Sequence, residues 1–182
     1  LGLKDVVALG WSMGAMALWG AWTRIAPRLA GLVIEDMSPR VTNDASWPHG
    51  IANGYSDADI ASTLSEITAD WPAYVARFAP RMFAISADSA KREWAADEMS
   101  NANAAAMAAF WRSMTQQDFR TALARITTPT LVIRGGESQV YPDGATAFVA
   151  QAAPHARRIV ISGAGHVPHL EAPEEFFNQI EA

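Results

Sequence analysis

Gly10-Trp11-Ser12-Met13-Gly14 is the feature that most limits what this chain can fold into. The apolar run Val6-Val7-Ala8-Leu9 before it reads as a short buried strand. The apolar, Ala-rich stretch 14–29 after it reads as a helix, with Pro27 near its end. A G-x-S-x-G pentapeptide in that setting predicts a sharp strand-to-helix turn that lifts the serine hydroxyl clear of a sheet. Sterics predict that the residues two before and two after Ser12 must lack bulk. The turn aims the following helix N-terminus at the same place as the hydroxyl, which makes the Met13 N–H a candidate oxyanion donor. The plainer reading is a glycine-rich turn in which Ser12 only caps the helix. The flanking strand and helix favour the first reading.

Similar units recur downstream. Leu32-Val33-Ile34 reads as a second buried strand, ending at Glu35-Asp36 and followed by the breaker Ser38-Pro39. Thr130-Leu131-Val132-Ile133 is a third, entered through Pro129 and left through Gly135-Gly136. Residues 143–153 read as a helix, Arg158-Ile159-Val160-Ile161 as a fourth strand, and 173–181 as an amphipathic helix with proline in its first turn. Strands alternating with helices predict an α/β fold with a parallel sheet. The stretch 41–126 is different. It holds no convincing buried strand, an Ala-rich run over 102–109, and four of the seven tryptophans (Trp47, Trp71, Trp94 and Trp111). The expected organisation is a core made of 1–40 and 127–182, with a helical insertion over 41–126.

Composition narrows the chemistry. The 182 residues include no cysteine, which rules out disulfides, thiolate metal sites and a cysteine nucleophile. A net charge of −5 without clustering argues against nucleic-acid or anionic-membrane binding. No apolar run is long enough to cross a bilayer. The chain begins at Leu1 rather than Met and runs straight into a strand, so its natural start is expected to be missing. The cytoplasm is the favoured compartment, and oligomeric state is left open.

A serine hydroxyl needs a base. Of the four histidines, His166 follows the fourth strand in Ser162-Gly163-Ala164-Gly165-His166, at the strand end where parallel sheets present ligand-facing groups. His155 reads as solvated, His49 as a loop or pocket residue in the insertion, and His169 as structural or on a rim. The acid that orients the imidazole has two candidate positions. One is Glu35-Asp36 after the second strand and the other is Glu137-Ser138 after the third. Alternation along a strand sends Glu35 to the side opposite Asp36.

The strand–turn–helix over 6–29, the strand Pro129-Thr130-Leu131-Val132-Ile133-Arg134-Gly135, and Gly163-Ala164-Gly165-His166 followed by Glu171-Ala172-Pro173 together resemble α/β-hydrolase-fold enzymes. Most members carry an aspartate where this chain has Ser138. The chain more closely resembles a subgroup of small acyl-ester and thioester hydrolases, in which the acid stands at the end of the preceding strand and a serine fills the vacated position. That resemblance implies Ser12 as nucleophile, His166 as general base and Asp36 as acid, with the Ser138 hydroxyl as a second hydrogen-bond partner of His166 and Glu137 as the fallback acid. It also implies that the earlier strands are absent, together with the loop that supplies a second oxyanion donor. The first strand would then be an exposed apolar edge, and losing one oxyanion donor typically costs about 2.7–4 kcal/mol.

The insertion falls where this family places a cap. Trp47, Trp111 and, beside the nucleophile, Trp11 are the expected substrate contacts, with Trp71, Trp94 and Phe110 adding apolar surface. The expected partner is a hydrophobic small-molecule ester, cleaved without metal or organic cofactor. Thioester hydrolysis, C–C hydrolysis and perhydrolysis draw on similar residues, and a non-catalytic fragment or binding module is the alternative from another class.

Overall fold

The computed structural model describes residues 2–181. Four strands form one parallel sheet in the order β1 (Val6–Trp11), β2 (Leu29–Glu35), β3 (Thr130–Gly135) and β4 (Ala156–Ile161). Helix α1 (Met13–Ile25) connects β1 to β2, and α6 (Asp143–Ala152) connects β3 to β4. The connection from β2 to β3 carries α2 (Asp57–Ala69), α3 (Trp71–Phe78), α4 (Ser89–Ser100) and α5 (Ala104–Thr115). Two further helices, α7 (Pro168–Glu171) and α8 (Pro173–Glu181), close the described chain. The first helix is shorter than its apolar pattern suggests. It stops at Ile25, Pro27 sits in a 3-10 turn over Ala26–Arg28, and Leu29 already belongs to β2. Proline at 27 has no N–H to continue the helical ladder.

The period-2 alternation of the central strands decides which layer each side chain joins. Leu32, Ile34 and Val132 pack with Ala15, Met16 and Trp19 of α1 and with Ala145 and Val149 of α6. Val33, Leu131, Ile133 and Ile161 pack on the other face against Phe176 of α8. β1 is an edge strand, and its Val7 and Leu9 side chains are 55% and 46% exposed. The helices between β2 and β3 have a core of their own, with Ile67, Trp71, Val75, Met82 and Phe83 buried alongside Val167. That core is continuous with Trp11 and Leu170, so the helices sit over the C-terminal end of the sheet. No helix among the described residues is long and apolar enough to cross a membrane.

Candidate active site

Ser12 leaves β1 with φ 49° and ψ −120°, a left-handed geometry that a non-glycine residue adopts only at a cost of about 1–3 kcal/mol. Its backbone N–H is held by the Glu35 carbonyl at 3.0 Å. It stands at the N-cap of α1, yet its hydroxyl makes no capping bond. This speaks against the plain N-cap reading, because a serine placed to cap a helix would accept from the next backbone N–H groups. Gly10 is required by close approach: a Cβ there would stand 2.7 Å from the backbone of Gly14 and Ala15. The second glycine is not under the same pressure, since a Cβ at Gly14 would meet nothing within 4 Å among the described residues. Met13 is the first residue of α1, where a backbone N–H has no partner within the helix.

The C-terminal ends of the other three strands supply the remaining groups. Asp36 follows β2, is fully buried, and its Oδ2 lies 2.8 Å from His166 Nδ1. His166 lies five residues beyond the end of β4 and is 2% exposed. A carboxylate only accepts, so Nδ1 donates to Asp36 and Nε2 is left as the acceptor. Ser138 follows β3, and its hydroxyl donates to Asp36 Oδ2 at 2.5 Å. This corrects the expectation that Ser138 bonds His166. The hydroxyl holds Asp36 instead, through a bond to the same oxygen that faces His166. Glu137 is exposed and binds the neighbouring loop only through its backbone, N–H to the Ala164 carbonyl at 2.8 Å. Glu35 turns to the side opposite Asp36, as strand alternation predicts. Its Oε1 lies 2.8 Å from His169 Nδ1, whose ring packs on Phe176 in the layer that holds Val33, whereas Asp36 reaches His166, whose ring packs on Tyr141 in the layer that holds Ile34.

The loop bearing His166 is fixed by residues distant in sequence. Trp11 Nε1 donates to the His166 carbonyl at 2.7 Å, and the His166 N–H donates to the Met82 carbonyl at 2.6 Å. Glu171 accepts from the Gly165 N–H at 2.6 Å and the Ala84 N–H at 2.8 Å. Gly165 is needed because the buried chain at Phe83-Ala84 passes against it; a Cβ there would stand 2.5 Å from Ala84 N. Met82, Glu171 and Tyr141 had no signal in the sequence strong enough to single them out for this role. Tyr141 is buried with its ring 5.7 Å from that of His166. Burial, and secondarily the Asp36 charge, push its phenol far above the ordinary range, so it is a neutral wall.

Ser12 and His166 line two adjoining cavities. One, of about 280 Å³, is walled by Trp11, Trp71, Phe78, Met82, Met99 and Met107, with Met13 beside the serine. The other, of about 410 Å³, is mixed in character, with Asn53, Asp59, Ser62, Thr63, Glu66 and Arg77 in its wall beside Ile51, Val140 and Tyr141. Trp111, Tyr74 and Met114 line both. Trp111 is held by its indole N–H on the Tyr55 hydroxyl at 3.0 Å, which donates onward to Thr63 at 2.7 Å. Burial pushes the Tyr74 phenol up to about 12, so this dividing wall carries no charge. Trp47 is a correction. It lines neither cavity but is buried beneath Arg120, against Phe148 and His49, with its indole N–H on the Arg40 carbonyl at 3.0 Å. Trp94 is 53% exposed and also outside both cavities. A tryptophan's position in sequence does not show which cavity it lines until the surrounding elements are placed. Among the described residues, no group of three His, Asp or Glu side chains is placed to hold a metal ion.

The backbone is similar to those of solved enzymes. An esterase from Exiguobacterium antarcticum superposes with a TM-score of 0.88 at 22% identity, over 98% of this chain and 66% of that one. A bromoperoxidase from Bacillus anthracis does so with a TM-score of 0.87 at 22% identity, over the same shares of the two chains. Among curated proteins, the chain is similar to two pimeloyl-[acyl-carrier protein] methyl ester esterases. The one from Nitrosomonas europaea is 25% identical over 95% of this chain and 69% of its own length. The one from Aromatoleum aromaticum is 29% identical over 94% of this chain and 70% of its own length. Residues 1–179 match the model of the alpha/beta hydrolase family, and the chain belongs to that family.

Proposed function

We propose that this chain carries the catalytic serine, histidine and aspartate of an esterase that cleaves carboxylic esters of hydrophobic small molecules through an acyl-enzyme. The observation that carries the reading is the buried Asp36–His166 bond beside the same cavities as an uncapped serine on a strained turn. Ser12 Oγ attacks the ester carbonyl while His166 Nε2 takes its proton. Asp36 holds the ring through Nδ1 and stabilises the imidazolium, and the Ser138 hydroxyl supports Asp36. The Met13 N–H donates to the oxyanion. His166 returns the proton to the leaving alcohol, then takes one from the water that releases the acid. The helices within 41–126 act as a cap, closing the cavities from above.

The two cavities suggest a division of the substrate. An apolar arm occupies the space walled by Trp11, Trp71 and the methionines, while the mixed space, with Asn53, Ser62, Thr63 and Arg77 in its wall, takes the hydrogen-bonding end. The esterase names of the similar curated proteins agree with ester hydrolysis. A p-nitrophenyl ester series tests this. Each buried methylene is worth about 0.8 kcal/mol, so kcat/KM rises about fourfold per methylene from acetate to hexanoate. Met107→Trp fills the apolar space and flattens that rise. A flat series in the unaltered protein, or hydrolysis undiminished by Ser12→Ala, would contradict the reading.

A further inference from the structure

Glu35 is fully buried, and neither the nucleophile, the base nor the acid makes use of its side chain. Its Oε1 accepts twice from one residue, from the His169 backbone N–H at 3.1 Å and from His169 Nδ1 at 2.8 Å. Its Oε2 is buried with no hydrogen-bond partner among the described residues. The next residue, Asp36, is equally buried and also carries an unpartnered oxygen, Oδ1. Burying one carboxylate is costly and burying two in succession adds like-charge repulsion. A sequence that needed only to fill this space would use an apolar side chain, which is often more stable than a buried ion pair.

The aromatic rings show what the pair touches. The Trp11 ring centroid lies 5.4 Å from that of His166, tilted to it, and 5.4 Å from that of His169, edge to face. Its indole N–H also holds the His166 carbonyl. Glu35, His169, Trp11 and His166 therefore form one packed series, and Trp11 pairs with Glu35 in the β1–β2 register. His169 is 28% exposed at its side chain and lines neither cavity beside Ser12, so it has no route to the reacting atoms.

We propose that Glu35 and His169 are positioning residues: a second carboxylate–imidazole pair that holds the Trp11 indole against His166 and so sets the tilt of the imidazole between Asp36 and Ser12. This rests on His166 being the general base. The fixed Nδ1 bond orients His169, His169 fixes the edge of the indole, and the indole limits the rotation of the His166 ring. Proton transfer depends steeply on such alignment.

The test compares His169→Phe, which keeps a ring but loses the Nδ1 bond, with His169→Asn, which keeps a donor near that position. Rates are expressed per Ser12 titrated with a fluorophosphonate, so misfolded protein does not count. His169→Phe lowers kcat about tenfold with KM within about twofold, and His169→Asn restores kcat to within about threefold. Should His169→Phe fold poorly because Glu35 is left unpaired, the double variant Glu35→Gln/His169→Phe removes that charge and still shows the tenfold loss. The downfield proton resonance of the Asp36–His166 bond shifts or broadens in the Phe variants and stays in the Asn variant. That resonance needs no turnover, so it decides the inference separately from the choice of reaction. Unchanged kcat per titrated site with an unmoved resonance in the Phe variants would overturn the proposal, as would an Asn variant indistinguishable from Phe.

Discussion

The four helices between β2 and β3 begin differently from α1. Ser56, Asp70, Asp88 and Asn103 each accept a backbone N–H at the start of α2, α3, α4 and α5, and Ser56 forms a reciprocal capping box with Asp59. Each cap contributes about 1 kcal/mol. Ser12 occupies the same position at α1 and caps nothing, in a backbone conformation that stores strain. The first region follows local rules throughout. The second, the C-terminal end of the sheet, departs from them repeatedly: Ser12 and Asp36 have positive φ, two carboxylates are buried in succession, and His166 is almost fully enclosed. Such departures persist only where surrounding structure over-determines them, and they concentrate at functional sites.

Substitutions can break that contrast. The largest effect is expected at Asp36. Asp36→Asn leaves an amide facing Nδ1, disturbs the tautomer and lowers kcat about 10⁴-fold, whereas Glu137→Gln changes it less than about twofold. Steady-state kinetics on both variants check this, and the opposite order would move the acid to the loop after β3. The two N-cap serines should respond with opposite signs in denaturant unfolding. Ser12→Gly relieves the positive φ and stabilises by about 1 kcal/mol while abolishing turnover. Ser56→Ala loses its cap and destabilises by about 1 kcal/mol with kcat unchanged.

How far the sequence was legible follows from how local each signal is. The turn at Ser12 was readable because a strand, a glycine pair and a helix lie within one short stretch. The parallel sheet was readable because each strand is an unbroken apolar run bounded by glycine or proline. His166 is legible from its position just past a strand end; Asp36 shares that signal with Glu137, and only the family resemblance separates them, while the structure brings the Asp36 and His166 side chains together. The partner of Ser138 is not legible in the sequence, because only three-dimensional placement shows that its hydroxyl reaches Asp36. The opposite facing of Glu35 and Asp36 is legible because strand alternation needs nothing beyond the chain itself. The place of Trp47 is not legible in the sequence, because its burial beneath Arg120 depends on contacts across more than seventy positions. The anchoring of the His166 loop by Met82 and Glu171 was invisible for the same reason.

The covalent role of Ser12 is tested most directly by treating the intact protein with a fluorophosphonate and mapping the adduct by peptide mass spectrometry. The adduct is expected on the peptide containing Ser12, at one equivalent per chain, and to vanish in Ser12→Ala. An adduct on another residue, or ester turnover that continues at full rate with Ser12 unmodified after treatment, would contradict the account.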